Sequence, residues 1–292
     1  MLTFLLRPWA YLPLRVIHGL GAALGWLIYW GSPRYAARLR ENLRASKVCN
    51  SEQAYQKLLR QSIREAGKGA LEVIPVWLRS YKSTLRLVKQ CNGWEHVEQA
   101  IQRGRGIIYL TPHLGCFEIA GLYCAAHYPI TTLYRPPKLR WLEPLMKAGR
   151  TRGQVTLAPT DLGGVRTLLK ALKRGETVGM LPDQVPGVGE GVWAEFFEKP
   201  AYTMTLVGRL AQTSQATILM VFAERLPDGM GYEITYTPFA SPIPTDKEQF
   251  ARLQNQAVEA LVRQRPAQYL WSYNRYKVPR GVAPPDLNCA LT

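Results

Sequence analysis

Short apolar runs alternate with helix-like segments through the middle of the chain. The predicted strands are Leu85–Val88, Ile107–Leu110, Ile130–Tyr134, Val155–Ala158 and Thr177–Leu181, and the predicted helices between them are His96–Gln102, Gly115–His127, Trp141–Thr151 and Leu162–Arg174. Alternation of strands and helices is typical of an α/β fold. The pattern therefore predicts a largely parallel or mixed central sheet that is flanked by helices.

Capping residues and later apolar runs extend this prediction. Asp161 is a suitable N-cap for the helix that starts at Leu162, and Thr245 with Glu248 forms a capping box before a late helix over Lys247–Arg263. Two further strands are predicted over Ala216–Phe222 and Tyr232–Thr237. Ser32 followed by Pro33, and Ser51 followed by Glu52, are typical helix starts in the first quarter of the chain.

The segment Trp9–Trp30 is mostly apolar and carries tryptophan and tyrosine near both ends. A membrane-spanning helix needs about 20 such residues, and aromatic side chains favour the bilayer interface. We expect an N-terminal hydrophobic helix that anchors the chain in the membrane. Arg15 and Pro13 leave two alternatives open: a helix lying in the interface, or a hairpin buried in the domain itself.

The formal net charge is +16, which indicates a polyanionic partner such as an anionic membrane, a phosphorylated substrate or a nucleic acid. The basic residues at 34, 38, 40, 44 and 47 follow the apolar segment and predict that the body of the protein is cytoplasmic. The five cysteines, at positions 49, 91, 116, 124 and 289, are scattered, so we interpret them as reduced thiols.

His113 and Glu118 lie where a predicted strand gives way to a predicted helix. On one continuous helix their side chains would point roughly 140° apart. With His113 in the preceding turn and Glu118 in the first helical turn, they converge at the end of the strand, where open α/β sheets place ligand sites. A histidine whose tautomer is set by a carboxylate is a general base.

Two other chemistries compete for this region. His113, Cys116, Cys124 and His127 have a spacing that invites zinc, but on a helix Cys116 and Cys124 would be about 12 Å apart, too far for one tetrahedral ion. Cys116 is also close enough to His113 to be considered as an acyl-accepting nucleophile.

Several motifs resemble one enzyme family. The segment TPHLGCFEIAG resembles the H-x4-D/E block of the glycerolipid and lysophospholipid acyltransferase superfamily, and GWEHVEQAIQRGRGIIYLTPHLGCFE is similar to the bacterial lipid A late (secondary) acyltransferases, the lauroyl/myristoyl transferase family. Other matching pieces follow in order between about Arg34 and Lys277: RLRENL, YRPP, Arg150, LLKALKRGETVGMLPDQ and PAQYLWSYNRYK. Cys116 stands where that family commonly has Asn.

The resemblance implies a site and a reaction. It implies His113 as general base with Glu118 orienting it, and substrate contacts from the four residues Arg135, Arg150, Asp183 and Gln184. Backbone amides around Gly115 are candidate oxyanion donors. The implied reaction is transfer of a fatty acyl chain from an acyl carrier protein thioester to a hydroxyl on a phosphorylated lipid A precursor, with no cofactor or metal.

The resemblance also sets the expected organisation: a membrane anchor over 1–32, an acyltransferase domain over 33–280 and a tail over 281–292. We expect the domain to lie on the cytoplasmic face of the bacterial inner membrane. Another lipid acceptor, such as a lysophospholipid or aminoacyl lipid, is the alternative substrate. A basic nucleic-acid binder is the alternative class, but no basic–aromatic motif supports nucleic acid as a partner.

Overall fold

The computed structural model describes residues 2–285, and side chains from residue 6 onward; its centre is a seven-stranded sheet of order β1-β9-β8-β2-β5-β3-β4. The strands are β1 (Val88–Asn92), β2 (Ile107–Leu110), β3 (Ile130–Tyr134), β4 (Val155–Pro159), β5 (Thr177–Met180), β6 (Gly191–Phe196), β7 (Lys199–Met204), β8 (Thr217–Arg225) and β9 (Tyr232–Pro238). The helices are α1 (Leu2–Ala10), α2 (Leu14–Gly31), α3 (Pro33–Ala45), α4 (Glu52–Leu78), α5 (Tyr81–Leu85), α6 (Trp94–Gln102), α7 (Phe117–His127), α8 (Glu143–Arg150), α9 (Leu162–Lys173), α10 (Leu206–Ser214) and α11 (Lys247–Gln264).

The sheet is mostly parallel, which confirms the predicted α/β class. Strand β2 pairs in parallel with β5 and with β8, and β3 pairs in parallel with β4 and β5. Strand β9 is antiparallel to β8, and β1 pairs in parallel with β9, so the sheet is mixed at this edge. The carboxyl ends of five strands consequently meet at one edge.

Alternate residues of the strands fill two separate cores. Ile108 and Leu110 of β2 face a cluster that includes α9, α10, α11 and the first half of α4, whereas Ile107 and Tyr109 face α6, α7 and the end of α4. All four β2 side chains are nearly inaccessible to solvent. Continuous apolar strands of this kind are expected when helices cover both faces of a parallel sheet.

The N-terminal helix differs from the prediction. The predicted single helix is interrupted, since α1 ends at Ala10 and α2 begins at Leu14. Helix α2 does not present an apolar surface all round, because one side of it is buried: Leu14, Ile17, His18, Gly21 and Gly25. Among the helices within residues 2–285, none has both the length and the apolar character to cross a bilayer. The predicted anchor is therefore not supported. Pro13 marks the break, and packing on α4 accounts for the buried stripe.

Helix α2 packs against α4 with the two backbones in direct contact. A Cβ atom placed on Gly67 would lie 2.0 Å from the carbonyl oxygen of Gly21 and 2.4 Å from the amide nitrogen of Gly25. A Cβ on Gly25 would lie 2.1 Å from the carbonyl oxygen of Ile63. These glycines permit an approach that any larger residue would prevent.

Several local predictions hold and others were wrong. Asp161 caps α9 by accepting from the amide of Gly164, and Ser51 caps α4. The cap of α11 is Asp246 rather than Thr245, since the Asp246 carboxylate accepts from the amide of Gln249. Residues 81–85 form α5 and the strand begins only at Val88, so the strand predicted over 85–88 was wrong.

Strands β6 and β7 form an antiparallel hairpin that lies outside the central sheet. Its two-residue turn, Phe197 and Glu198, has φ values of 47° and 59°. Such turns normally carry Asn or Gly, so this sequence contains no signal for the hairpin. Cys289 and the part of the expected 281–292 tail from residue 286 onward lie outside the described residues. The other four cysteines are free thiols.

We predict that Gly67→Ala lowers the free energy of unfolding by roughly 1–3 kcal/mol, because the added methyl group would force α2 and α4 apart. Chemical denaturation would measure this. The matched control is Gly19→Ala on α2, where nothing lies within 4 Å of the added Cβ. Equal stability of wild type and Gly67→Ala would contradict this account of the helix contact.

Candidate active site

The site forms where two neighbouring parallel strands end. Leu110 of β2 is paired with Met180 of β5, and the amide of Thr111 still donates to the carbonyl of Met180 at 3.0 Å. Beyond this pair the two chains leave the sheet together. His113 and Asp183 each lie three residues past the paired positions, which brings them to the same place.

Asp183 holds both the backbone and the ring of His113. Its Oδ2 accepts from the His113 amide at 2.9 Å, and its Oδ1 lies 2.9 Å from Nδ1 of the imidazole. Asp183 is 3% exposed. Burial alone would raise the pKa of Asp183, but the charge and hydrogen bonds of His113 and the charge of Arg275 hold that pKa below its ordinary value. An ionised carboxylate at Nδ1 places the proton of neutral imidazole there and leaves the lone pair on Nε2.

The free edge of the imidazole faces Gln184 and two aromatic rings. The side-chain nitrogen of Gln184 lies 3.2 Å from His113 Nε2, in position to donate to the lone pair. The ring of Tyr273 is parallel to the imidazole at 6.4 Å, and that of Phe117 lies at 4.8 Å. The His113 side chain is 13% exposed, so Nε2 is the atom through which this site can take a proton.

Glu118 was expected to orient the imidazole, but its hydrogen bonds and ion pair go to other residues. Its carboxylate is bound by Arg150, whose Nε and Nη2 both donate to it, and by Trp77, whose indole nitrogen donates at 3.0 Å. The cause is the helix start: α7 begins at Phe117, and its first turn directs Glu118 toward α4 and α8 while His113 turns toward β5. In this geometry Asp183, rather than Glu118, orients the histidine.

The backbone amide of Gly115, the expected oxyanion donor, already donates a hydrogen bond within the protein. It donates to the carbonyl of Gln268 at 3.1 Å, and Gly115 has a φ of 60° that favours glycine. Cys116 is 2% exposed and at the N-cap of α7, where its side chain makes no cap hydrogen bond. Burial raises the pKa of the Cys116 thiol well above its usual range, which disfavours it as a nucleophile.

The remaining site residues divide into those near His113 and those apart from it. Gln184 contacts the histidine, whereas Arg150 is engaged by Glu118, and Arg135 is exposed one residue beyond β3. Sequence reasoning assigned no role to Tyr273 or Trp77. Tyr273 lies in the PAQYLWSYNRYK motif, which could have indicated that it belongs to the site. Trp77 is near the end of α4, and no motif surrounds it.

A carboxylate, an imidazole and an Nε2 that carries the lone pair form the arrangement of a general base. Such a base takes a proton from a hydroxyl and returns it to a leaving group. Its carboxylate partner stabilises the imidazolium formed in between. The groups that contact Nε2 or flank the ring are the amide of Gln184 and the aromatic rings of Phe117 and Tyr273.

Known proteins resemble this chain along most of its length. The sequence model of the family described as bacterial lipid A biosynthesis acyltransferase matches residues 1–278. A lipid A biosynthesis lauroyltransferase of Escherichia coli K12 is 31% identical over 277 residues, covering 93% of this chain and 89% of its own. A palmitoleoyltransferase of the same pathway and organism is 27% identical, covering 92% and 87%. A lipid A biosynthesis myristoyltransferase, also from E. coli K12, is 24% identical, covering 61% and 56%.

We predict that Asp183→Asn lowers the free energy of unfolding by roughly 1–3 kcal/mol at about pH 7, because the buried hydrogen bonds to His113 lose their charge. The pKa of Asp183 is lowered on folding, so its stabilisation is complete above the ordinary value of 3.8 and is lost as the pH falls through the depressed pKa. Urea titrations at several pH values would show the difference between wild type and variant shrinking below that point. A difference that stays constant in acid would contradict the assignment.

Proposed function

Because the chain belongs to the bacterial lipid A biosynthesis acyltransferase family, we propose that it transfers a fatty acyl chain from an acyl carrier protein thioester to a hydroxyl on an acyl chain of a lipid A precursor. The proposed chemistry rests on the His113 imidazole. Its Nδ1 lies 2.9 Å from the buried Asp183 carboxylate, and its Nε2 is left to act on a substrate. The names of the relatives support a fatty acyl donor and a lipid A acceptor.

In the proposed reaction Nε2 of His113 accepts the proton of the substrate hydroxyl as its oxygen attacks the thioester carbonyl carbon. The new C–O bond forms and the C–S bond breaks, and the leaving thiolate takes the proton back from the imidazolium. Asp183 stabilises the imidazolium charge and holds the ring in place. The side chain of Gln184 occupies the position that the hydroxyl would take, so it has to turn aside or share a hydrogen bond with the substrate.

Glu118 and Arg150 have a different proposed role, as one structural unit beside the base. The ion pair joins the start of α7 to the end of α8, and the Glu118 side chain is 8% exposed. Burial alone would lower the pKa of Arg150, but the charge and hydrogen bonds of Glu118 raise it. Glu118 therefore holds the Arg150 guanidinium in place, and we propose that this guanidinium faces an anionic group on a substrate.

Transfer kinetics test the function and the roles together. With acyl carrier protein thioesters and a tetraacylated lipid A precursor, His113→Ala and Asp183→Asn should each lower kcat by about 10²–10⁴-fold, the range of general-base catalysis. Glu118→Gln and Arg150→Met should share one loss, so the double variant loses no more than the worse single variant.

Two controls make this assay decisive. Thermal unfolding of every variant shows whether the chain is folded, and a lysophospholipid or aminoacyl lipid replaces the acceptor in parallel reactions. Transfer to these lipids with none to the lipid A precursor would overturn the proposed acceptor. Full activity of Asp183→Asn would overturn the proposed base.

The surface of α2 supports a location at the membrane, which we propose to be the cytoplasmic face of the bacterial inner membrane. The outward side chains of α2 form an exposed apolar stripe of Val16, Leu20, Leu27 and Trp30, the last 69% exposed. Their spacing of three to four residues, or twice that, places them on one side of the helix. An exposed apolar stripe on an amphipathic helix is suited to lying in the bilayer interface.

Cations accompany this stripe on the neighbouring helix. Lys57, Arg60 and Arg64 are exposed on α4 and, with Gln61, form a shallow groove against Trp26 of α2. Arginine and lysine beside an apolar interface attract anionic lipid headgroups, by about 1 kcal/mol for each residue. The two features together favour an anionic bilayer as the partner of this surface.

We predict that replacing Lys57, Arg60 and Arg64 by Gln weakens binding to phosphatidylglycerol vesicles by about 100-fold, the effect of losing about 3 kcal/mol. Vesicle sedimentation at several salt concentrations would measure it. The matched control replaces Arg103, Arg105 and Lys173, which are exposed cations that precede β2 and β5 and lie outside α2 and α4. Equal losses in the two triple variants would show that net charge alone, and not this surface, binds the bilayer.

A further inference from the structure

A buried ion network lies directly behind the turn that carries His113. Arg225, the last residue of β8, donates from Nε and Nη2 to the two carboxylate oxygens of Glu72 on α4, each at 2.7 Å. Its Nη1 donates to Glu65 at 3.1 Å, and the hydroxyl of Tyr232 donates to Glu72 at 3.0 Å. Arg225 is 6% exposed and Glu72 is 2% exposed.

The same guanidinium reaches the catalytic turn. Nη2 of Arg225 also donates to the carbonyl oxygen of Gly115 at 2.7 Å. Gly115 is two residues from His113 and has the positive φ that reverses the chain before α7. Arg225 thus bonds directly to the backbone that sets the direction of the imidazole.

Gln268 completes a closed ring of hydrogen bonds. Its side chain exchanges two bonds with the backbone of Arg225, accepting from the amide at 2.9 Å and donating to the carbonyl at 3.0 Å. Its own carbonyl accepts from the amide of Gly115 at 3.1 Å. Both backbone groups of Gly115 are therefore fixed by Arg225 and Gln268, and the next amide, that of Cys116, donates to Ala223 at 2.8 Å.

Stability alone is a weak reason for such a network. Removing two charges from water is costly, and buried ion pairs can often be replaced by apolar residues without loss of stability. The ion pair with Glu72 holds the guanidinium of Arg225 in one position, from which it donates to the carbonyl of Gly115. An apolar side chain has no such donor. A displacement of about 1 Å at a catalytic group can lower a rate by about 100-fold, so a fixed turn matters more for chemistry than for folding.

The network also stays charged over a wide pH range. Burial alone would raise the pKa of Glu72, but the charge and hydrogen bonds of Arg225, together with His18, hold it at about 2. Burial alone would lower the pKa of Arg225, but Glu72 and Glu65 hold it above its ordinary value. The Arg225 guanidinium is consequently charged and able to donate to Gly115 at neutral pH.

We propose that Arg225 is a positioning residue for His113: fixed by Glu72 and Gln268, it holds the carbonyl of Gly115 and through that turn sets the place of the imidazole. The inference rests on the proposed function only in that it takes His113 to be the base. The hydrogen bonds of the Arg225 side chain go to Glu72, Glu65 and Gly115 and not to the imidazole, so the proposed effect is on geometry.

The double variant Glu72→Leu/Arg225→Met tests this, because it removes both charges and the donor to Gly115 while filling the space with apolar side chains. Two quantities are measured on the full chain. The first is kcat and KM for transfer from acyl carrier protein thioester to the lipid A precursor. The second is the rate at which diethyl pyrocarbonate modifies His113, followed by peptide mass spectrometry, which requires no substrate.

We expect kcat to fall by about 10- to 100-fold with little change in KM, and the His113 modification rate to rise several-fold. Arg225→Lys keeps the positive charge and one donor for the Gly115 carbonyl. Its kcat and His113 modification rate should therefore lie between those of wild type and the double variant. The matched control is Glu224→Gln/Arg265→Met, which removes the exposed ion pair one residue away and should change neither quantity. If the double variant does not fold, Arg225→Lys provides the same comparison with wild type.

A folded double variant with wild-type kcat and a wild-type modification rate would overturn the proposal. A changed modification rate in a protein whose wild type transfers no acyl chain to lipid A would instead reject the proposed function and leave the positioning role in place. A lower kcat shared equally by the Glu224/Arg265 control would show a general loss of stability and would also reject the role of Arg225.

Discussion

The hydrogen bonds between Asp183 and His113 are the contact on which the site depends. Asp183 bonds the amide and the ring of the histidine at the same time, so backbone position and ring orientation are set by one carboxylate. This is possible because β2 and β5 are parallel neighbours in register and end together. The sheet order therefore sets this contact, because separating these two strands would separate His113 from the carboxylate that orients it.

Two further buried carboxylates organise the surroundings, each with its own arginine. Glu118 pairs with Arg150 and ties α7 to α8, while Glu72 pairs with Arg225 and ties α4 to the end of β8 and to the turn at Gly115. Both pairs adjoin the start of α7, since Glu118 lies in its first turn and Arg225 donates to Gly115 just before it. His113 itself takes part in neither pair, and its Nε2 faces the side chain of Gln184.

Much of the fold could be predicted from the sequence because β2, β3 and β5 are short apolar runs between helix-like segments with ordinary caps. The β6–β7 hairpin could not, since its turn uses Phe197 and Glu198 in a conformation that usually requires Asn or Gly. The N-terminal segment was misjudged for another reason. Average hydropathy does not show that Gly21 and Gly25 lie against the backbone of α4, whereas the outer face of the same helix remains apolar.

Within the site, the family motifs assigned Asp183 and Gln184 to substrate contact, and the sequence did not pair either residue with His113. It paired the histidine with Glu118 because four intervening residues are few, whereas Asp183 is 70 residues away. Strand pairing outweighs proximity in sequence here: the parallel register brings Asp183 to the ring, and the late start of α7 turns Glu118 away. Arg225 carried no sequence signal at all, because its role depends on three segments that meet only in the folded chain.

The most direct measurement of the central claim is a long-range ¹H–¹⁵N NMR spectrum of the His113 imidazole in wild type, Asp183→Asn and Glu118→Gln. The account predicts a proton on Nδ1 and an unprotonated Nε2 in the neutral ring, a pattern lost or reversed in Asp183→Asn and retained in Glu118→Gln. A spectrum that changes with Glu118 and is indifferent to Asp183 would contradict it.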